Sequence, residues 1–184
     1  GLDDVLKFMK KDHDLAQAYQ AIDRLHEAGL IYDAHIMTGV AGKGRGMENA
    51  EALAQFLNRT NPAHVVNFSM FLHKEVPLYQ DIRQGTFVPA DELETIREEY
   101  HLIERIAPEK VGANILYDGF HDFIHVRVRG HLPGDKEKML AKLNGIIQEY
   151  EGKEPVYSFV QGECPDLEYC DDGKAVWDMD RKTS

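Results

Sequence analysis

Hydrophobic and polar positions recur along this chain with two periods, and the switches between them divide it into elements. Val5, Leu6, Phe8 and Met9 have the spacing of a short amphipathic helix. Asp14 suits an N-cap for a helix over 15–28, where Leu15, Ala18, Ile22 and Leu25 form one stripe and Gly29 supplies the stop. Residues 30–38 read as a strand: Leu30, Tyr32, Ala34, Ile36 and Thr38 alternate with Ile31, Asp33, His35 and Met37. Both of its faces are partly apolar, the pattern of a covered parallel sheet. The loop Gly39–Gly46 and a helix over 47–59 follow, and Asn61-Pro62 then breaks the chain. A second strand over 64–72 has Val66, Phe68, Met70 and Leu72 on one face and Val65, Asn67, Ser69 and Phe71 on the other.

Short strands alternating with helices predict parallel βα units. Beyond the turn-rich segment 76–87, which has room for a short helix, a long charged helix is expected over 89–107, with Pro89 in its first turn. A strand is expected at 113–117. Residues 121–129 alternate cleanly: Ile124, Val126 and Val128 on one side, His121, Phe123, His125, Arg127 and Arg129 on the other. A last helix over 133–150 has an inner stripe of Met139, Leu140, Leu143, Ile146 and Ile147, and residues 156–160 form a further possible strand.

Charge narrows the function classes. The formal net charge of −11 disfavours general nucleic-acid binding, because a negative field repels phosphate backbones. No apolar run approaches the ~20 residues of a membrane span. The two cysteines, Cys164 and Cys170, are spaced C-x5-C, wider than zinc knuckles or redox pairs, which favours free thiols over a metal half-site; this usage reads as that of a cytoplasmic protein. The opening residues 1–11 are already charged and amphipathic, unlike a signal peptide, and the lack of an initiator Met predicts a natural protein extending upstream.

Ligands of α/β sheets bind at the carboxyl ends of strands. On that ground His35, Asn67 and Ser69 are expected to share one cavity while Ile36, Phe68 and Met70 face helices; the competing reading makes the first three hydrogen-bonded core residues. The glycines of AGKGRG, with Lys43 and Arg45, could cradle an anion, although the P-loop pattern is absent and a surface loop explains them as well. His121, His125, Arg127 and Arg129 form a cationic strand face followed by His131. Arginines repel a metal cation, so this face points to an anionic group or to ion pairing within the fold, and no metal ligand set is assigned. Glu92, Glu94, Glu98 and Glu99 read as a solvated helix face.

Four segments together resemble the radical S-adenosylmethionine (radical SAM) superfamily. VLKFMKKDHDLAQAYQAIDRLHEAG is similar to the helix pair after the fourth barrel strand. HIMTGVAGKGRGMEN is similar to the fifth strand and its turn, with Gly39, Gly42 and Glu48 matching a G-x-x-G and acidic pattern. NPAHVVNFSMFLHKEVPLYQDIRQGTF resembles the sixth strand and the passage after it. RGHLPGDKEKMLAKL resembles the segment before the last helix of a group of such proteins. The resemblance covers about residues 1 to 150.

It implies an α/β fold: a partial (β/α) barrel segment of parallel βα units over 1–110, a C-terminal α+β extension over 111–152, and an acidic tail over 153–184. It also implies that Ile36, Met37, Thr38, Gly39 and Val40 lie on the side of S-adenosylmethionine. His35, Asn67, Ser69, His121, His125, Arg127 and Arg129 are the substrate-side candidates. The family holds a 4Fe–4S cluster through C-x3-C-x2-C, which this chain lacks, so the cluster belongs to a missing N-terminal half of the same protein. The parent would cleave S-adenosylmethionine to a 5′-deoxyadenosyl radical that abstracts hydrogen from an unknown substrate, and the fragment alone would be inactive. Separated from its partner half, it is expected to self-associate through strand edges. The alternative is a small acidic α/β binding or regulatory module that uses the cationic strand face for an anionic ligand or partner.

Overall fold

The computed structural model describes residues 1–159, 168–169 and 175–176. Six helices and one four-stranded sheet account for most of the described residues. Helices α1 (Asp3–Phe8) and α2 (Leu15–Glu27) come first, and α2 is started by a reciprocal cap in which Asp14 accepts from the Gln17 amide and Gln17 accepts from that of Asp14. Strand β1 (Asp33–Thr38) leads through α3 (Gly46–Thr60) to β2 (His64–Ser69). Asn61, left-handed at φ 44°, ends α3. Helices α4 (Pro77–Arg83) and α5 (Glu92–Arg105) then cross to β3 (Ile115–His121), which turns through a short 3-10 segment (Asp122–Ile124) into β4 (Val126–Leu132) and α6 (Lys136–Tyr150).

The strand order is β1-β2-β3-β4, with the first three parallel and β4 antiparallel to β3. This is a mixed α/β fold built on an open, mostly parallel sheet. Crossover helices make the parallel pairs, and the tight connection after His121 makes the antiparallel one. Helices α3, α5 and α6 cover one face. Ala34, Val65, Ile115, Tyr117, Val128 and Leu132 meet Leu57, Ile96, Leu102, Ile103 and Leu143 there in the main core. A second cluster of Met70, Leu72, Tyr79, Ile82, Phe87 and Phe159 closes the carboxyl ends of the strands.

Several boundaries differ from the sequence pattern, each for a local reason. The long helix begins at Glu92, not Pro89, because Asp91 caps it by accepting from the Glu94 amide. The alternation over 121–129 is interrupted by a hairpin: His121 ends β3, and His125 sits in the turn at φ 54°. His121 therefore does not share a face with Arg127 and Arg129, as one continuous strand would require. The register in β2 is also inverted from expectation. Asn67 and Ser69 contact α5 on the covered face, and Phe68 lies on the opposite one beside Phe120. Strand β2 is central, paired on both edges, and not an exposed edge. The possible strand at 156–160 is reduced to one parallel bridge between Phe159 and Leu72, with Val160 outside the described residues.

Candidate functional site

The carboxyl ends of the three parallel strands converge under the first two turns of α5. Glu92, Thr95 and Glu99 follow the i, i+3, i+7 spacing of one helix stripe, in line with the core residues Leu102, Ile103 and Ile106. That stripe carries two carboxylates into the interior. Glu92, Glu98 and Glu99 are all buried, at 1, 1 and 0 % exposure, which corrects their reading as a solvated face.

A buried ionised group persists only with partners. Here His121, fully buried, lies between the two carboxylates: Nδ1 is 3.0 Å from Glu92 Oε2, and Nε2 is 3.0 Å from Glu99 Oε2. Burial pushes the imidazole pKa down, but the hydrogen bonds and charges of Glu92 and Glu99 outweigh it and raise the value to about 10. His121 is thus an imidazolium at neutral pH, donating one N–H to each carboxylate. The remaining lone pairs are met by neutral donors. Ser69 Oγ donates to Glu92 Oε1 at 3.1 Å, Asn67 Nδ2 to Glu99 Oε1 at 3.2 Å, and the Tyr117 hydroxyl to Glu99 Oε1 at 2.9 Å. Burial, reinforced by the charge of Glu99, raises the Tyr117 pKa well above the usual phenol value, so it remains a donor.

Glu98 is held separately. Asn49 Nδ2 donates to its Oε1 at 2.6 Å, and the Gly39 amide to its Oε2 at 2.9 Å. Burial raises its pKa to about 7 against the lowering by these two donors, so it is partly protonated at neutral pH. Two glycines make room for this helix stripe. A Cβ on Gly119 would lie 1.9 Å from Glu99 Oε1, and one on Gly39, at φ +81°, would lie 2.7 Å from Thr95 Cγ2.

The opposite face of the sheet has a different character. His35, Arg127 and Arg129 are exposed there, and the half-buried rings of Phe68 and Phe120 stack at 5.4 Å. The Arg127 guanidinium lies 4.7 Å over the Phe120 ring and grips Asp118 with two bonds of 2.8 and 2.6 Å. That grip holds the Asp118 carboxyl below its usual range.

The substrate-side candidates therefore divide. His35, Arg127 and Arg129 lie on the uncovered face, and exposed His125 on the β3–β4 turn. Asn67, Ser69 and His121 belong to the buried network beneath α5. His35 does not share a cavity with Asn67 and Ser69, because the odd positions of β1 align with the even positions of β2, His35 opposite Val66. Among the residues beside S-adenosylmethionine in the family resemblance, Ile36 packs on the core, Thr38 is fully buried, and the Gly39 amide is engaged by Glu98. Met37 and Val40 keep accessible apolar surface, and Val40 lines a cavity of about 380 Å³ with Phe8, Ala41, Phe87 and Val88. Such surface suits the flat face of an adenine. The cluster does not fit this chain: three thiolates are required, and only Cys164 and Cys170 exist, both outside the described residues.

The glycine loop is pinned, which opposes its use as an anion cradle. The Gly44 amide donates to Glu94, the Lys43 amide to Val88 O at 2.8 Å, and Arg45 pairs with Asp4 and Glu48 at 2.7 and 2.9 Å. Among the described residues no group of three or more His, Cys, Asp or Glu is arranged to hold a metal ion, and no helix is long and apolar enough to cross a membrane. No family model, curated protein or solved structure matches the chain.

The carboxylate network was missed for a definable reason. Counting charges on the helix gives a solvated face, whereas phasing Glu92 and Glu99 against Ile103 and Ile106 places them inside. That phase was the available signal.

Proposed function

We propose that this chain is the C-terminal half of a radical SAM enzyme, an arc of a partial (β/α) barrel completed by a cluster-bearing N-terminal half. The observation that carries the reading is the two-sidedness of the sheet. Three parallel strands joined by crossovers have their helices on one face, while the other presents His35, stacked Phe68 and Phe120, and Arg127. In a barrel that second face becomes the lumen. Among the described residues no strand pairs with the outer edge of β1, where a preceding barrel strand would join. The sequence segments that resemble the family's fifth and sixth strands are β1 and β2, adjacent and parallel as that order requires.

In this reading Met37 and Val40 flank the adenine, and His35, Phe68, Phe120 and Arg127 line the substrate side. The buried Glu92–His121–Glu99 network fixes the strand ends from behind. Radical generation belongs to the half that holds the cluster, which supplies the electron that breaks a carbon–sulfur bond of S-adenosylmethionine. No step of it is assigned to the residues of this chain.

The test begins with the coding sequence upstream of Gly1. A C-x3-C-x2-C segment there, and an anaerobically reconstituted longer protein that releases 5′-deoxyadenosine on reduction, are the expected results. The 184-residue chain alone is expected to bind no stoichiometric iron under the same conditions. An upstream sequence without the cysteine triad, or a cluster on the short chain, overturns the reading.

A further inference from the structure

The molecule carries a net charge of −11, yet four cations gather in one place. A cavity of about 430 Å³ between β4 and α6 is lined by Arg127, Val128, Arg129, Lys138, Met139 and Lys142. Its size is that of a small-ligand site. Arg127 and Arg129 project from alternate positions of β4, and Lys138 and Lys142 stand one turn apart on α6. All four border one cleft at the outer edge of β4, the arginines from the uncovered face of the sheet and the lysines from α6 on the covered one.

Internal pairing leaves most of this charge uncompensated. Among the described residues Asp118 is the one carboxylate engaged: Arg127 binds it in bidentate fashion, and Arg129 Nε is 3.7 Å away. Lys142 donates to a neutral group, the Arg127 carbonyl, at 2.6 Å. Lys138 is exposed and makes no ion pair among the described residues.

The strand edge adds a further donor. In an antiparallel ladder, residues two apart point their amide and carbonyl to the same side. The Arg127 carbonyl accepts from Lys142 and the His131 amide donates to Asp135 at 2.8 Å, so both point away from β3. Arg129, midway between them, presents its amide N–H to the same edge. A guanidinium, a backbone N–H and two ammonium groups around one space match the several oxygens of a phosphate group, which a single carboxylate would not satisfy. Buried Val128 and Met139 supply an apolar floor.

We propose that the cleft between β4 and α6 binds a phosphorylated small molecule, through Arg129, Lys138 and Lys142, at the outer border of β4 on the rim of the uncovered face. Its occupancy does not depend on the barrel being completed, so it stands or falls independently of the radical SAM reading.

Calorimetric titration of the full chain with sodium pyrophosphate, in about 0.15 M chloride to screen diffuse attraction, tests it. One saturable site with a micromolar Kd is expected, with orthophosphate weaker. Arg129→Gln and Lys138→Gln each weaken binding by about tenfold or more, the loss of one charge-assisted contact. Lys110→Gln, on the loop before β3, leaves the Kd unchanged. Amide NMR gives a second readout: pyrophosphate shifts the Arg129 N–H more than that of Ala34. A nucleoside diphosphate that binds more tightly than pyrophosphate identifies an organic phosphate, and equal affinity identifies the phosphate groups alone. The proposal is overturned by absence of saturable heat, by affinity insensitive to both cleft variants, by equal weakening in Lys110→Gln, or by an unmoved Arg129 amide.

Discussion

The two faces of the sheet handle polar groups in opposite ways. On the covered face, Glu92, Glu98, Glu99 and His121 are removed from water, and their charged and neutral partners are held at hydrogen-bonding distance. On the uncovered face, Arg127 and Asp118 form a comparable pair, but the guanidinium remains half-exposed and water shares in solvating it. The first arrangement contributes little net stability when intact and is costly to break; the second is cheap either way. A side chain on the covered face is therefore locked by its neighbours. One on the uncovered face stays free to be recruited by whatever lies against it.

Substitutions that intrude on the covered face test this contrast most severely. Gly119→Ala places a methyl group within bonding distance of the Glu99 carboxylate, and the helix cannot withdraw without opening the core. Loss of the cooperative unfolding transition, read by circular dichroism during urea titration, is expected. The same substitution at Gly145, where a Cβ meets nothing within 4 Å, leaves the transition in place.

His121→Leu removes the shared cation and leaves two buried carboxylates facing each other. A loss of about 3–5 kcal/mol is expected from urea denaturation at neutral pH, the usual cost of stripping one partner from a buried ion pair. A variant with near-normal stability would show that the network is not charged as described.

Dependence on pH is smaller and has a defined sign. Glu98 titrates near 7 in the folded chain against 4.5 ordinarily, so its contribution is complete below pH 4.5 and is lost as pH rises to about 7. His121 titrates near 10 against 6.5, so its contribution is complete below 6.5 and is lost as pH rises through 10. Unfolding midpoints should fall across both windows. Glu98→Gln should flatten the lower window, a change of a few kcal/mol at most, while leaving the upper one intact. An unaltered slope between pH 4.5 and 7 would assign the lower window to another group.

The smallest effect is expected on the uncovered face. Phe120→Ala deletes one ring of the Phe68–Phe120 stack and should cost ~1 kcal/mol, because much of the ring is already in contact with water. A loss as large as that of His121→Leu would mean that this face is a structural core in its own right.

How much of this was legible in the sequence depended on whether an element's environment repeats along it. Helix α2 was readable to its cap, because Asp14 and Gln17 act within one turn. The order of β1, α3 and β2 was readable because a parallel pair needs a crossover of about a dozen or more residues, and the amphipathic helical period of α3 differs from that of the strands beside it. Residues 121–129 were misread because a strict alternation of side chains is compatible with one strand or with two strands around a compact turn. Nothing local separates those until His125 adopts its left-handed backbone. The facing of Asn67 and Ser69 was misread for a related reason. In a strand apolar on both faces, period two does not say which face the helices cover, and the answer lies in α5, more than twenty residues away.

The two borders of the sheet are not equivalent, and this limits how the chain can associate. Along β4, Lys142 occupies the Arg127 carbonyl and Asp135 the His131 amide, so side chains already fill ladder positions that an incoming strand would need. Along β1 the outer edge carries, among the described residues, only the long 3.5 Å contact from Asn49 Nδ2 to the Met37 carbonyl near the strand's carboxyl end. A particle with one adhesive border has a valence of one. It can pair with one further strand along β1, and after that single union the remaining border is the one that Lys142 and Asp135 partly fill. Stacking of sheet upon sheet edge into an open-ended fibre is thereby opposed by a lysine and an aspartate at the far end of the fold.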